Sequence, residues 1–303
     1  MMRGGRPSPG GPPCVLLPYA VADGARNMAF DEAMLEYAAE GRTLVRFYGW
    51  EPWCVSLGRN QPAPARLRGR RPRDIRPGVD AVRRPTGGRS VFHGPEITYA
   101  FACPDRAWGG PKQVLRTVHR ALADGLRSLG VPLDDPPEGA VNTGSPEPFA
   151  LSPAACFREP APGELTVGGR KLVGSAQRRR RGGLLQHGSI LIEDRQALAD
   201  LEDAGGLAQS RGVPERGLAI GLREALSATP DPRAIVPRLE EALTREFGPP
   251  ASPASAAATA AALDRVAAGY VPVHRSAARL WREDPALARH APGCGPVGTR
   301  PGA

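Results

Sequence analysis

The stretch RRPTGGRSVFHGPEITYAF, residues 83–101, decides the fold that the sequence predicts. Its glycine pair, Gly87-Gly88, lies between runs rich in β-branched and aromatic residues, so we predict two strands that flank a glycine loop. Such a loop lets the backbone approach a ligand closely, and its arginines can hold phosphate or carboxylate groups. It is neither a Walker loop nor a Rossmann fingerprint. On spacing alone, a tight hairpin with solvated arginines explains the stretch equally well.

A second glycine-containing stretch, GRKLVGSAQ at 169–177, carries one of only two lysines in the chain. Residues 164–167 and 171–173 flank Gly168-Gly169, which predicts a β-hairpin. Lys171 is suited to face a ligand there, because an ammonium can aim its donors at one oxygen or sulfur atom. The alternative is a lysine that protects an edge strand from aggregation. That alternative is weakened because the other 38 basic residues are arginines, which could serve as well.

Outward from these loops, the sequence predicts a mixed α/β domain. Capping residues and helical periodicity predict helices, at 24–40, 111–129, 195–203, 219–227, 232–247 and 254–268. Further strands are predicted at 43–50, 54–58 and 184–192. Because strands mostly follow strands, we expect a partly antiparallel sheet flanked by helices. We expect a disordered N-terminus at 1–13, one folded domain at 14–248, and an Ala/Pro-rich tail at 249–303 that is partly helical and then disordered.

The composition excludes several classes of protein. With 303 residues, 41% hydrophobic and 23% charged, the chain is neither fibrous nor wholly disordered. Its five cysteines are scattered without a CxxC pair, which predicts no disulfide framework and no metal site. No apolar run approaches the roughly 18 residues of a membrane span, and the first residues lack the apolar core of a signal peptide. We therefore expect a cytoplasmic protein.

The candidate nucleophile and bases are single residues without a diagnostic spacing. Cys156 lies in a predicted loop, and a lone cysteine is more often a small buried apolar residue. Beside a lysine ammonium, it would instead be a nucleophile. His93 and His187 could orient a substrate or act as bases, although a structural role is the simpler reading. Residues 178–181, all arginine, are most simply a solvated turn.

Taken together, several segments resemble the biotin/lipoate protein ligase catalytic family. They follow the family's order and cover about residues 20–248: NMAFDE (27–32), RFYGW (46–50), SLGRNQ (56–61), 83–93, 169–177 and QHGS (186–189). The resemblance implies a biotinyl/lipoyl-transferase fold, with an α+β, class II synthetase-like mixed sheet flanked by helices. It also implies an acyl tunnel lined partly by the glycine loop, and a match of the family's invariant lysine to Lys171.

Within that family, TGGRSVFHGPEITYAF looks like the cysteine-dependent octanoyltransferases. ATP-dependent lipoate ligases usually have a third glycine and then His-Asp, where this chain has Arg89 and Gly94. The resemblance makes Cys156 the acyl-carrying nucleophile and Lys171 the residue that lowers its pKa. It also implies these substrate-binding residues: Arg83, Thr86, Gly87, Gly88, Arg89, His93, Gly174, Ser175 and Ala176.

The implied reaction moves an octanoyl group from octanoyl-acyl carrier protein to a lysine of a lipoyl domain, such as the glycine-cleavage H protein, in lipoate biosynthesis. A thioester donor requires no ATP, so no cofactor is expected. The net charge of +9 suits acidic protein partners. The alternatives are an ATP-dependent lipoate–protein ligase, an amidotransferase between lipoyl domains, and a non-catalytic lipoyl-domain binder. A basic nucleic-acid binder lacks any recognised motif here, so neither nucleic acid nor a membrane is an expected partner.

Overall fold

The computed structural model describes residues 14–62, 78–135, 164–199 and 219–276. The expectations for 1–13, for Cys156 and for the end of the tail lie outside these ranges. The strands in the described ranges are β1 (Cys14–Ala22), β2 (Thr43–Trp50), β3 (Trp53–Leu57), β4 (Val79–Arg83), β5 (Val91–His93), β6 (Glu96–Pro104), β7 (Leu165–Val167), β8 (Arg170–Arg180) and β9 (Gly183–Leu191). The α-helices are α1 (Gly24–Ala39), α2 (Pro111–Ser128), α3 (Leu222–Ala225), α4 (Pro232–Phe247) and α5 (Pro253–Arg275).

The strands form one large and one small sheet. The six-stranded sheet has the order β1-β2-β6-β9-β8-β7, in which only β1 and β2 run parallel. The small sheet has the order β4-β3-β5. This architecture confirms the predicted mixed, partly antiparallel sheet with flanking helices.

The glycine loop is not a hairpin, because the strands on its two sides do not pair with each other. β4 pairs parallel to β3, and β5 pairs antiparallel to the opposite edge of β3. The loop therefore crosses over the end of β3. Gly58 follows that end, and a Cβ on it would lie 1.7 Å from the carbonyl oxygen of Gly88. The hairpin alternative is wrong, since the loop connects two strands that β3 separates.

Helices cover both faces of the large sheet. α2 and α4 pack on one face, around a core that includes Phe101, Leu122 and Leu239. α1 and α5 pack on the other face, around a core that includes Met34 and Leu263. Asp23 begins α1 as predicted, since its carboxylate accepts a hydrogen bond of 2.8 Å from the backbone N–H of Arg26. No described helix has the length and apolar character to cross a membrane.

Several predicted element boundaries differ from those in the described ranges. Residues 178–180 belong to β8 rather than to a solvated turn, and Arg180 reaches the buried carboxylate of Glu32 at 3.3 Å. The described part of the segment 195–203 forms a short 3-10 helix at Gln196–Ala199. The helix predicted over 219–227 begins only at Leu222, because Ala219 forms a parallel β-bridge with Lys171.

Candidate active site

A bulge in β8 determines the direction of the Lys171 side chain. The pairing of β7 with β8 shifts register between Leu165 and Thr166, which face Val173 and Lys171. As a result, consecutive residues Leu172 and Val173 pack into the same core, with α2 and α4. Side chains beyond a bulge return to the opposite face, so Lys171 projects from the face of the sheet that also carries Gly174.

The Lys171 ammonium is buried and forms an ion pair. Lys171 is 2% exposed, and its Nζ lies 2.7 Å from Oε1 of Glu164. The hairpin that carries it is closed by Asp134, whose carboxylate accepts 2.9 Å hydrogen bonds from the N–H groups of Gly168 and Gly169. These contacts hold an ammonium in a fixed place inside the protein rather than at an edge in solvent.

A narrow cavity lies on the same face of the large sheet, between α1, the small sheet and β8–β9. Its volume is about 40 Å³, and most of its lining is apolar or backbone. The lining residues are Met28, Tyr48, Trp50, Ser56, Arg84, Val91, His93, Thr98, Gly174, Ser175, Ala176, His187, Gly188 and Ser189. Gly174 is three residues from Lys171, about 10 Å along the strand. The mainly apolar lining of the cavity thus begins three residues along β8 from Lys171.

One wall of the cavity contains a hydrogen-bonded chain that starts at Asp31. Oδ2 of Asp31 lies 2.8 Å from Nδ1 of His187, and Nε2 of His187 lies 2.6 Å from Oγ1 of Thr86. Tyr48 donates a 2.9 Å hydrogen bond to the same carboxylate oxygen. Arg46 lies 3.7 Å from the other oxygen, and burial lowers the pKa of this guanidinium. All these groups are buried.

A second chain of the same kind starts at Glu96 and includes His93 and Ser56, which line the cavity. Oε1 of Glu96 lies 2.8 Å from Nδ1 of His93, and Nε2 of His93 lies 2.7 Å from Oγ of Ser56. Arg84 donates a 3.1 Å hydrogen bond to the Ser56 hydroxyl. The His93 ring stacks on Trp50, with ring centroids 4.0 Å apart.

The predicted site residues that lie in the described ranges divide into two groups. His93, Gly174, Ser175 and Ala176 line the cavity. The others belong to its surroundings: Arg83, Thr86, Gly87, Gly88, Arg89 and Lys171. Arg83 donates 2.6 Å hydrogen bonds to the carbonyls of Gly58 and Gln61, and therefore fixes the neighbouring loop.

Sequence reasoning missed four residues of these two chains: Asp31, Ser56, Arg84 and Glu96. A usable signal exists for Glu96, because it is the one acidic residue of strand β6, at its start. Asp31 has a similar signal, since it lies on the buried side of α1. Because a buried carboxylate needs hydrogen-bond or ionic partners, either residue would have indicated a buried polar network.

Three of the five cysteines are described, and all three are buried. Burial raises the pKa of the Cys14 and Cys103 thiols to about 12, and that of Cys54 well above its ordinary value. These three are therefore protonated at neutral pH and belong to the core, as predicted for Cys54 and Cys103. Within the described ranges, no group of three or more His, Cys, Asp or Glu side chains is arranged to hold a metal ion.

The fold and the cavity define a class: a mixed-sheet protein with a mainly apolar cavity and a buried ammonium on one of the strands that line it. The family model "Lipoyl protein ligase A/B catalytic domain" matches residues 23–243. The chain belongs to this family, which confirms the family predicted from the motifs.

Curated relatives are similar over much of the chain. An octanoyltransferase LipM of Moorella thermoacetica is 41% identical over 182 residues, which cover 58% of this chain and 64% of the relative. One of Kyrpidia tusciae is 36% identical over 250 residues, covering 72% and 88%. The chain spans 62–64% of the length of the first three relatives.

Solved structures share the fold at low sequence identity. A bipartite lipoate protein ligase of Thermoplasma acidophilum matches with a TM-score of 0.58 and 14% identity, over 90% of this chain and 97% of the other. LipL1 of P. falciparum, solved with lipoate, matches with a TM-score of 0.61 and 12% identity, over 90% and 75%. The predicted fold class is thereby confirmed.

Proposed function

We propose that the protein is an octanoyltransferase, which moves an octanoyl group from octanoyl-acyl carrier protein to a lysine of a lipoyl domain. The observation that carries this proposal is the buried Lys171 ammonium on β8, the strand whose residues Gly174, Ser175 and Ala176 line the apolar cavity. The family and the LipM relatives support it. The expected setting is the cytoplasm, and the glycine-cleavage H protein is a suitable acceptor.

In the first step of the proposed reaction, the Cys156 thiolate attacks the carbonyl carbon of the octanoyl thioester. The bond to the carrier's phosphopantetheine sulfur breaks, and that sulfur leaves as a thiol after taking up a proton. The octanoyl group is then a thioester on Cys156. The mainly apolar cavity is the candidate site for its hydrocarbon chain, and it must widen beyond its volume of about 40 Å³ to hold eight carbons.

In the second step, the amine of the acceptor lysine attacks the same carbonyl after losing its ammonium proton. An amide forms as the attacking nitrogen releases a second proton to solvent, and the Cys156 sulfur leaves as a thiolate. Both steps proceed from a thioester, so ATP is not consumed. Lys171 stabilises the thiolate and the developing oxyanion, because an ammonium in a water-poor site interacts strongly with negative charge.

Intact mass after mixing with octanoyl-acyl carrier protein tests the covalent step. Without ATP, we expect the wild type to gain the mass of one octanoyl group, and hydroxylamine to remove it as expected for a thioester. Cys156→Ser should gain no hydroxylamine-labile adduct and transfer nothing to the acceptor. Cys294→Ser is the matched control and should behave as the wild type. Full transfer by Cys156→Ser would exclude the proposed mechanism.

Lys171→Met tests the role of the ammonium, and Lys112→Met on the exposed side of α2 is its control. We expect Lys171→Met to slow acyl-enzyme formation about 100-fold. It should also move the pH midpoint of Cys156 alkylation by iodoacetamide upward, because the thiolate loses a nearby cation. Lys112→Met should change neither. An unchanged alkylation profile in Lys171→Met would contradict the assigned role.

The family also supports a second candidate, the ATP-dependent lipoate–protein ligase, since ligases of this fold are among the structural matches. A ligase would transfer free lipoate only with ATP and would retain activity in Cys156→Ser. An amidotransferase would instead accept its acyl group from a loaded lipoyl domain. Competition between carrier-bound and domain-bound octanoyl donors separates that activity from the one proposed.

A further inference from the structure

Exposed arginines gather at the corner of the large sheet where β8 turns into β9. Arg179 lies near the end of β8, Arg181 lies in the turn, and Arg106 follows the end of β6. The backbone N–H of Asp105 donates a 2.8 Å hydrogen bond to the carbonyl of Gly182. The loop after β6 and the β8–β9 turn are therefore in contact, and their three arginines are neighbours.

The first turns of α2 add a fourth exposed arginine to this corner. Nε2 of His119 lies 2.8 Å from Oγ of Ser175, so this side of α2 faces β8. Arg116 precedes His119 by three residues and therefore lies on the same side of the helix. The start of α2 is also joined to β8, because the Gln177 side chain donates a 2.9 Å hydrogen bond to the Pro111 carbonyl. We call these four residues the arginine corner: Arg106, Arg116, Arg179 and Arg181.

The positive charge of the arginine corner is uncompensated, since none of its four arginines forms an ion pair with another described residue, Asp105 included. Arg178 and Arg180 instead approach Glu32 at 4.0 and 3.3 Å, and strand alternation turns Arg179 to the opposite face. Several exposed arginines elsewhere pair with acidic side chains: Arg26 with Asp264, Arg120 with Glu246, Arg245 with Glu241, and Arg275 with Asp23. The corner therefore attracts a negatively charged partner.

The distance from the corner to Lys171 discriminates between the two proteins of the proposed reaction. Arg179 is three residues, about 10 Å, from the cavity-lining Ala176, and eight residues, about 25 Å, from Lys171. Even Ser175, which α2 contacts, is about 13 Å along the strand from Lys171. A lipoyl domain offers one lysine side chain, which is too short to span this distance. An acyl carrier protein holds its acyl group on a long phosphopantetheine arm.

We propose that the arginine corner is the docking surface for the acyl carrier protein that donates the octanoyl group. This inference rests on the proposed function and assigns a surface to its donor. Acyl carrier proteins are typically acidic, and guanidinium groups bind carboxylates and phosphate through paired hydrogen bonds. Opposite charges on the two surfaces also raise the rate at which they meet.

The test compares octanoyl-acyl carrier protein with octanoyl-pantetheine, a donor without the protein or the phosphate. In Arg116→Glu/Arg179→Glu, we expect the KM for the carrier protein to rise about tenfold at unchanged kcat, because two attractive charges become repulsive. The kcat/KM for octanoyl-pantetheine should stay at the wild-type value. Added salt should raise the wild-type KM for the carrier protein and leave that for octanoyl-pantetheine unchanged.

Arg233→Glu/Arg265→Glu is the matched control, since it makes the same change in net charge at exposed positions of α4 and α5. It should leave the KM for the carrier protein at the wild-type value. An equal rise in the control would overturn the inference, because net charge rather than the corner would then set the affinity.

Two further outcomes overturn the inference and leave the proposed function standing. One is an equal loss of activity with both donors in Arg116→Glu/Arg179→Glu, which indicates a structural role for these arginines. The other is a raised KM for the lipoyl-domain acceptor with an unchanged KM for the carrier protein, which assigns the corner to the acceptor. If the wild type transfers octanoyl groups from neither donor, the proposed function itself fails.

Discussion

Gly58 and Gly88 meet at the end of β3, where a Cβ on Gly58 would lie 1.7 Å from the Gly88 carbonyl oxygen. We expect Gly58→Ala to displace the glycine loop and to lower the free energy of unfolding by about 1–3 kcal/mol, as overpacking does. Acyl transfer should fall as well, since the displaced loop carries Thr86 and Arg84. Urea unfolding and the transfer assay measure the two effects.

Gly269 is a matched control for that substitution. It lies in α5, and a Cβ there would meet no atom within 4 Å. Gly269→Ala should raise the free energy of unfolding by about 0.5–1 kcal/mol, because alanine loses less conformational freedom than glycine in a helix. Equal behaviour of the two variants would contradict the close approach at Gly58.

A local pattern singled out Lys171, because lysine is rare in this chain and this one lies in a glycine-bounded hairpin, and the structure buries it. Its catalytic role stays a prediction. Asp31 and Glu96 were missed because each carboxylate forms its hydrogen bonds with side chains from other elements. The pairing of Asp31 with His187 joins residues 156 positions apart, and no spacing rule connects them.

At the level of elements, the β7–β8 hairpin depends on one carboxylate. Asp134 accepts hydrogen bonds from Thr166 Oγ1 at 2.6 Å and from the N–H groups of Gly168 and Gly169. These bonds favour the ionised form and lower the pKa of Asp134 below its ordinary value of 3.8, with Thr166 the largest cause. The stabilisation is therefore complete above pH 3.8 and is lost as the pH falls through the lower, folded-state value.

We expect Asp134→Asn to lower the free energy of unfolding at pH 7 and to lose that difference from the wild type in strong acid. Amide hydrogen exchange at Gly168 and Gly169 should become faster in the variant at neutral pH. Glu240→Gln on α4 is a control, because burial raises rather than lowers the pKa of that carboxyl. A constant difference between Asp134→Asn and wild type from pH 7 to pH 2 would contradict the assigned bonds.

Most elements were predictable because their signals are local. Periodicity and caps located α1, α2 and α4, and the glycine pair located the hairpin. The insertion of β3 between β4 and β5 was not predictable, since strand pairing depends on contacts far along the chain. The bulge in β8 was also hidden, because Leu172 and Val173 look like ordinary alternating residues until their common core is seen.

On the scale of the whole molecule, α5 is an integral layer of the fold although it lies beyond the family match at 23–243. Leu263 is fully buried in the core that α5 shares with α1, and Arg26 pairs with Asp264 at 2.9 Å. The sequence predicted a helix over 254–268, whereas α5 extends to Arg275. Its alanine-rich composition concealed this packing, since small residues give a weak apolar pattern.

We expect Leu263→Ala to lower the free energy of unfolding by about 2–5 kcal/mol, because it opens a cavity in that core. Val273→Ala is the control on the same helix, since Val273 is 44% exposed and its loss should change stability by less than about 0.5 kcal/mol. Chemical denaturation followed by circular dichroism gives both values. A separate early transition in the wild type would show that α5 unfolds independently.

The two lysines of this chain also determine which of its own side-chain amines the proposed reaction could acylate. A protein that transfers acyl groups to amines can also acylate the exposed amines of its own surface. Here Lys171 is 2% exposed and Lys112 is the other lysine, on the exposed side of α2. Arginine supplies the remaining positive side chains, and a guanidinium that stays protonated is a poor nucleophile. The lysine-poor surface thus leaves Lys112 as the single exposed side-chain amine open to self-acylation.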